Sequence, residues 1–504
     1  MNRPSRILFN ADSLPGNLGL YSLATILFRS VSLLRMVILT WLLGPAMFGL
    51  VSLGLAFINI GWSVVLLGAP SALERYIPLH QNNGQLRPFL RRLLPICIAI
   101  AALGTILLAF NIRPLSSLIF SRAADSTQQT YQADLPKLTA ACLAALFASS
   151  CFNTLISCLK GLRFFRAVAV LESSQSVLFT LLAVLLLLGH RHPFIVFSAQ
   201  AVTFIILAVT VGSLLLSHLR RCPDQNKPLD SSSYLYRFTA FAFWGLPGTI
   251  TWTILLAFPL WYLNRTFGPD IAGTYAAYFT LLNAVFFLSM PFWSVMNIHT
   301  VRRWVRAEYD QAKATVELAF RAFSLSLLFV CLLLTLCAPL LRLLFPAGFA
   351  SGASYVRFLC VPPLLAANFG LIHLLAALLE KPSLRVLALA FGTVIVLMTG
   401  LFLIPQYGIT GAALAGALGL GSATVAGLFL LLLRRCTVSL PTHLVLACPA
   451  LLLIPNRLLM IIAFGLLLTL VVFTPLFFAA PEKLRLIDSA RGLFKRYWPS
   501  KVHS

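Results

Sequence analysis

The chain has 504 residues, of which 59% are hydrophobic and 10% charged, with a formal net charge of +24. Soluble domains carry about 25% charged residues, and a soluble protein of this size needs a polar exterior that this composition cannot supply. A water-soluble fold is excluded, and the exterior must face lipid.

The opening stretch, Met1 to Gly16, holds Arg3, Arg6, Asn10, Asp12 and Pro15, then runs into an apolar segment too long for a signal-peptide core. We read no cleavable leader and take the first span as its own insertion signal. A bilayer core needs about 20 apolar residues per helix. Spans are predicted near 18–43, 47–70, 93–111, 138–159, 167–188, 193–216, 238–264, 271–293, 318–341, 354–379, 384–404, 410–433, 439–454 and 457–479. The thirteenth is the weakest, being short and carrying Pro441 and Pro449. The fold class is therefore an all-α polytopic membrane protein of about fourteen transmembrane helices.

Lys and Arg collect in cytoplasmic loops. With the N-terminus placed inside, inside segments hold 28 of these cations, outside segments hold 8, and Arg29 and Arg35 lie within the first span. The asymmetry predicts both termini in the cytoplasm and an even number of spans in a cytoplasmic (inner) membrane. It also explains most of the net charge without nucleic acid, which is not expected as a partner. The tail from Lys483 to Lys501 mixes six cations with Leu484, Leu486, Ile487, Leu493, Phe494, Tyr497 and Trp498. It suits either a helix lying on an anionic leaflet or an ordinary solvated tail.

Ten cysteines are present, with no CxxC and no Cys/His cluster. We expect them to be small buried hydrophobes, with no metal and no cofactor. No nucleophile–base pattern, metal motif or phosphate loop appears, so no catalytic residue is assigned and an enzyme is not expected.

An internal repeat organises the chain. Leu43-Gly44-Pro45 with Gly49 and Asn59 recurs 224 positions later as Phe267-Gly268-Pro269 with Gly273 and Asn283. Leu219-Arg220-Arg221-Cys222 is echoed by Leu433-Arg434-Arg435-Cys436. The spans group as six, six and two. Repeats an even number of helices apart share one orientation, which predicts two lobes related by an axis along the membrane normal. The expected organisation is an N-terminal six-helix lobe over 1–222 and a cytoplasmic linker over 223–237. A second six-helix lobe covers 238–436, an extra helix pair 437–480 and a basic cytoplasmic tail 481–504.

The stretch Trp41-Leu42-Leu43-Gly44-Pro45-x3-Gly49, followed by Ala72-Leu73-Glu74-Arg75-Tyr76-Ile77-Pro78, resembles the opening of polysaccharide-export flippases. Leu403-Ile404-Pro405-x-Tyr407-Gly408-Ile409-x-Gly411-Ala412-Ala413 is similar to a later segment of the same group. These flippases belong to the multidrug/oligosaccharidyl-lipid/polysaccharide exporter superfamily, which also holds the O-antigen and lipid II flippases. The resemblance covers most of spans 1–12. It implies alternating access by two lobes around a central cavity, with a lipid-linked saccharide and membrane lipids as partners. Polysaccharide assembly enzymes are candidate partners as well.

Arg29 and Arg35 are each more than roughly 10 Å from either end of the first span at about 1.5 Å per residue. A mid-span arginine costs about 2.5–3.5 kcal/mol on insertion scales, so two need water, a partner or a ligand. Six residues apart, they differ by about 120° around the helix and cannot share one narrow stripe. Phosphate or diphosphate binding fits the forked guanidinium; snorkelling or pairing with a buried acid is the alternative. First-span arginines of lipid II flippases have a similar spacing, and the resemblance implies a cationic cavity. Glu172 is the main intramembrane acid, read either as a proton-coupling group or, lying six residues past Arg166, as part of an interfacial ion pair. Asn59 and Asn283 are candidate substrate contacts, and Gln200, Asn368 and His373 offer further polar groups; for most of these, interhelical hydrogen bonding is the plainer reading.

The leading functional expectation is a flippase for a polyprenyl-diphosphate-linked saccharide in cell-surface polysaccharide or envelope biosynthesis. A multidrug exporter of organic cations is one rival, but it should carry acids in its first span, which has none. A membrane polysaccharide polymerase or ligase is another, but it needs a large outer loop, and the longest here runs only from about Asn111 to Lys137. A scaffold that has lost transport stays open.

Overall fold

The computed structural model describes residues 14–120, 134–221 and 231–484, and among these it contains helices and no strand. Helix α1 (Leu14–Val65) crosses twice, because Gly44 breaks it at φ 73° and ψ 175°. Only glycine takes such a conformation cheaply, and Pro45 restarts the helix where no N–H is required. The repeat does the same at Gly268, φ 94° and ψ 175°, between α8 (Ser231–Phe267) and α9 (Pro269–Leu282). The 224-residue periodicity therefore encodes two copies of one corner. A third, at Gly408, folds the long α15 (Pro382–Leu432) back on itself.

The N-terminal lobe continues through α2 (Ala69–Asn82), α3 (Leu86–Phe110), α4 (Ile112–Phe120), α5 (Leu135–Gly161), α6 (Phe165–Gly189) and α7 (Pro193–Arg221). The second lobe adds α10 (Ala284–Val305), α11 (Tyr309–Leu336), the short α12 (Ala338–Leu341) and α13 (Val356–Leu359), and α14 (Val361–Leu378). Helix α1 packs on α6 and α5 on α7; in the second lobe α8 packs on α15 and α14 on α15. These are equivalent pairs under the repeat. Among the described residues, ten helical segments are long and apolar enough to cross a membrane, and two of them, the folded α1 and α15, cross twice. With α16 (Leu440–Ala447), its continuation Cys448–Leu453, and α17 (Arg457–Phe473), the architecture is two six-helix lobes plus a C-terminal pair.

The outer surface is apolar where lipid is expected. Leu103, Leu107 and Phe110 on α3, and Leu181, Leu185 and Leu188 on α6, are exposed. For orientation we call one face the Gly44 end and the other, where Arg75, Arg87, Arg91 and Arg92 lie, the basic end.

Some sequence expectations need revision or fall outside the described residues. The predicted loop after Asn111 begins with the two-turn helix α4, and its residues 121–133, with Asp125, are not described. The adjoining Asp134 meets Lys137 at 3.0 Å and His192 at 3.3 Å. The hydrogen bond from Lys137 holds its carboxyl below the usual carboxylate range. Of the predicted linker, 223–230 lie outside the described residues and α8 already begins at Ser231. Arg3, Arg6 and the basic tail from 485 onward also lie outside them.

Candidate functional site

The deep cations were expected from sequence to need partners, and the structure separates them. Arg29 projects from α1 across the lobe boundary, its guanidinium 3.9 Å from the ring centroid of Phe287 on α10 and 5.0 Å from that of Phe28. A cation over an aromatic face is held by the ring quadrupole, worth about 0.5–2 kcal/mol. Arg35 instead turns towards its own lobe. It lies 4.3 Å over Phe179 and makes a long 3.5 Å hydrogen bond to Thr180 Oγ1, both on α6. The α1–α6 contact beneath it is fixed by the Ser32–Ser176 hydroxyl pair at 3.0 Å. The 120° separation read from the sequence thus becomes one arginine at the interface and one against α6.

A row of aromatic rings leads away from Arg29 into the second lobe. Phe287 neighbours Phe286 at 5.8 Å, Phe286 neighbours Trp252 at 5.7 Å, and Trp252 stacks on Phe369 at 6.2 Å. One helical turn beyond Phe369 on α14 is His373, whose side chain is exposed. Arg385 stands in the first turn of α15. Arg385 is half-buried, its Nε is shielded from solvent, and no acceptor among the described residues meets it.

The remaining predicted residues scatter. Asn59 is exposed on α1. Asn283 caps the break between α9 and α10, its backbone N–H bonding Phe279 O at 2.8 Å. The two are equivalent in sequence but not in local structure. Glu172 pairs with Lys160 at 3.2 Å near the basic end of the N-terminal lobe, the interfacial ion pair that sequence offered as one of its two readings. Glu74, from the motif shared with the export flippases, interacts with the same lysine and hydrogen-bonds Ser157. Asn368 accepts a 2.8 Å bond from Ser324 in the core of the second lobe. Among the described residues no group of three metal-binding side chains occurs.

Two lobes of six helices that meet at repeated Gly-Pro corners, with cations inside the bundle, give the chain the architecture that the resemblance to the multidrug/oligosaccharidyl-lipid/polysaccharide exporter superfamily implied. Residues 16–296 match the family described as Polysaccharide biosynthesis protein, and the chain belongs to it. No curated protein matches the chain. Among solved structures it is similar to a lipid II flippase, MurJ, in an inward closed conformation, with a TM-score of 0.65 at 15% identity over 91% of this chain and 98% of that one. It is also similar to the Vibrio cholerae MATE transporter VcmN in its bent form, with a TM-score of 0.56 at 16% identity over 89% of this chain and 99% of that one. The MATE multidrug transporter DinF-BH gives a TM-score of 0.59 at 17% identity over 84% and 96% of the two chains. At such identities the likeness speaks for the fold alone.

Proposed function

We propose that this protein is a flippase that carries a polyprenyl-diphosphate-linked saccharide from the cytoplasmic to the outer leaflet of the cytoplasmic membrane by alternating access, with both termini in the cytoplasm. The carrying observation is that Arg35 lies at mid-span and Arg385 half-buried in the first turn of α15, neither with a carboxylate partner among the described residues. A buried charge is tolerated when it is paired or meets a ligand. A diphosphate supplies two adjacent anionic groups of the geometry that a guanidinium fork accepts. Arg29, at the boundary between lobes, and Arg35 would hold it, while the lipid tail stays in the bilayer. Asn59 and Asn283 are proposed polar contacts for the sugar.

The pairing of Glu172 with Lys160 supports a structural role for this acid more than a coupling one. The multidrug reading, which several solved relatives share by name, wants acids in the first span, and none is present there. The test is export of lipid-linked polymer by cells carrying Arg29→Ala together with Arg35→Ala, at normal protein level. Loss of export supports the reading, and full export by the double variant sinks it.

A further inference from the structure

A cavity of about 270 Å³ lies between α5, α6 and α7, away from the lobe boundary. Leu159 of α5, Ala167, Val170 and Ser174 of α6, and Leu207 and Thr210 of α7 line it. It opens on the outer surface, where Val170 is 50% exposed and Thr210 is exposed. That surface continues along α6 as the lipid-facing row Val177, Leu181 and Leu185. Along α6 and α7 the cavity extends about 10 Å, seven residues at about 1.5 Å each, and it begins within a turn of the basic end. A dry apolar hollow beside hydrocarbon forfeits its dispersion contacts unless a chain fills it.

The rim is cationic. The tight turn joining α5 to α6 carries Lys160, Arg163 and Arg166, with Arg163 forced to a positive φ of 63°. Lys160 is offset by Glu172 and Glu74. Arg163 is exposed and has no carboxylate partner among the described residues. Anionic lipid head groups bind where such cations flank a gap between spans at the cytoplasmic face.

We propose that this slot binds one acyl chain of an anionic phospholipid from the leaflet at the basic end, with the lipid phosphate on Arg163. The site is separate from the cargo path, so it stands or falls independently of the flippase reading. Anionic charge recruits the head group, and the slot fixes the chain against α6, the helix whose opposite face holds Arg35.

The experiment uses the full chain, purified in detergent and delipidated, then titrated with dioleoyl phosphatidylglycerol or dioleoyl phosphatidylcholine and read by native mass spectrometry. The expected result is one phosphatidylglycerol retained per chain, about fivefold tighter than phosphatidylcholine, the effect of one cation near an anionic head group. Arg163→Gln should erase that preference and leave phosphatidylcholine binding unchanged. Thr210→Phe, at an exposed position, should fill the slot and remove tight binding of both lipids; Ser174→Phe does so from the opposite wall. Equal binding of the two lipids by the unmodified chain would overturn the proposal. So would retention by both filled variants, or displacement of phosphatidylglycerol by equimolar undecaprenyl phosphate, which would assign the slot to a carrier tail.

Discussion

Gly49 and Gly273 close the two lobes against each other reciprocally. A Cβ on Gly49 would overlap the Pro269 carbonyl and stand 3.0 Å from the Gly273 nitrogen. A Cβ on Gly273 would overlap the Pro45 carbonyl and stand 2.9 Å from the Gly49 nitrogen. The obstacles are backbone atoms, which cannot rotate away. The sequence repeat thus meets itself, each copy supplying a glycine for the other's proline carbonyl. Small residues allow such close helix approach in membranes. Gly49→Ala and Gly273→Ala should each reduce polymer export several-fold by holding the Gly44 end apart, and Gly49→Leu should abolish it. Gly189→Ala, where nothing lies within 4 Å, should be silent. Export assays at matched protein level check this; equal export by all four variants would remove the Gly44-end contact from the transport cycle.

Arg29 and Arg35 should differ in their tolerance of lysine. Lysine keeps the charge but loses the planar fork and stacks less well on a ring. Arg29 stacks between the rings of Phe287 and Phe28; Arg35 has Phe179 and a hydroxyl. Each Arg→Lys variant should restore only part of the export lost in the alanine variant. Phe287→Leu should weaken export less than Arg29→Ala, since the ring contributes about 0.5–2 kcal/mol while the guanidinium is the proposed diphosphate contact. Full rescue by lysine at both positions would argue for simple charge attraction instead of bidentate binding.

Arg385→Gln tests whether the second lobe takes part in handling the cargo. The substitution removes a half-buried charge that has no acceptor among the described residues, so the folded protein should keep or gain thermal stability. Export should nonetheless fall several-fold if this cation meets an anion during transport. Stability lost together with export would mark Arg385 as a structural residue.

The corners, spans and lobes were legible because they follow from elementary constraints. Twenty apolar residues must cross, glycine must take positive φ at a corner, and proline must restart a helix. Gly44-Pro45 and Gly268-Pro269 carried that signal in the chain itself. Arg29 and Arg35 stood out for the same reason, being cations where hydropathy forbids them. What the sequence could not convey was azimuth and pairing. Spacing placed the two arginines about 120° apart but not which faced the partner lobe. Arg385 stands in the first turn of its helix, where spacing alone does not separate a loop charge from a half-buried one. The row from Phe287 to Phe369 joins three helices distant in sequence, and aromatic residues are too common in membrane spans to flag it. Glu172 shows the limit differently: spacing could not say which cation it meets, and the structure puts Lys160 3.2 Å away, which favours a structural role. Glu172→Gln should therefore lower thermal stability modestly and leave the pH profile of export unchanged; an altered profile would restore the coupling role.

The C-terminal pair is fastened at both ends, and its fastening predicts where the protein fails first. At the basic end, α11 presents Glu317 and Arg321 one turn apart, 4% and 5% exposed. Glu317 accepts bonds from the Ser439 nitrogen and the Thr442 hydroxyl, both at 3.0 Å, and from the Ser439 hydroxyl, so it caps the start of α16. Arg321 donates to Glu482 at 2.7 Å and to the Phe477 carbonyl, holding the segment after α17. At the Gly44 end, Arg357 donates to the Ile454 and Pro455 carbonyls in the turn between α16 and α17. The helices themselves are short for a bilayer, at 14 and 17 residues, so apolar length alone anchors them poorly. Removing one partner of a buried charged pair costs about 3–5 kcal/mol, and the partial exposure of Glu482, 26%, favours the lower figure. Arg321→Ala should thus free the pair while both lobes persist. Limited proteolysis should then cut near 436–440 and after Phe473 in the variant but not in the unmodified protein. An unchanged cleavage pattern would mean that apolar packing such as Phe329 on the buried Phe464, 6.0 Å apart, holds the pair without its polar fastening.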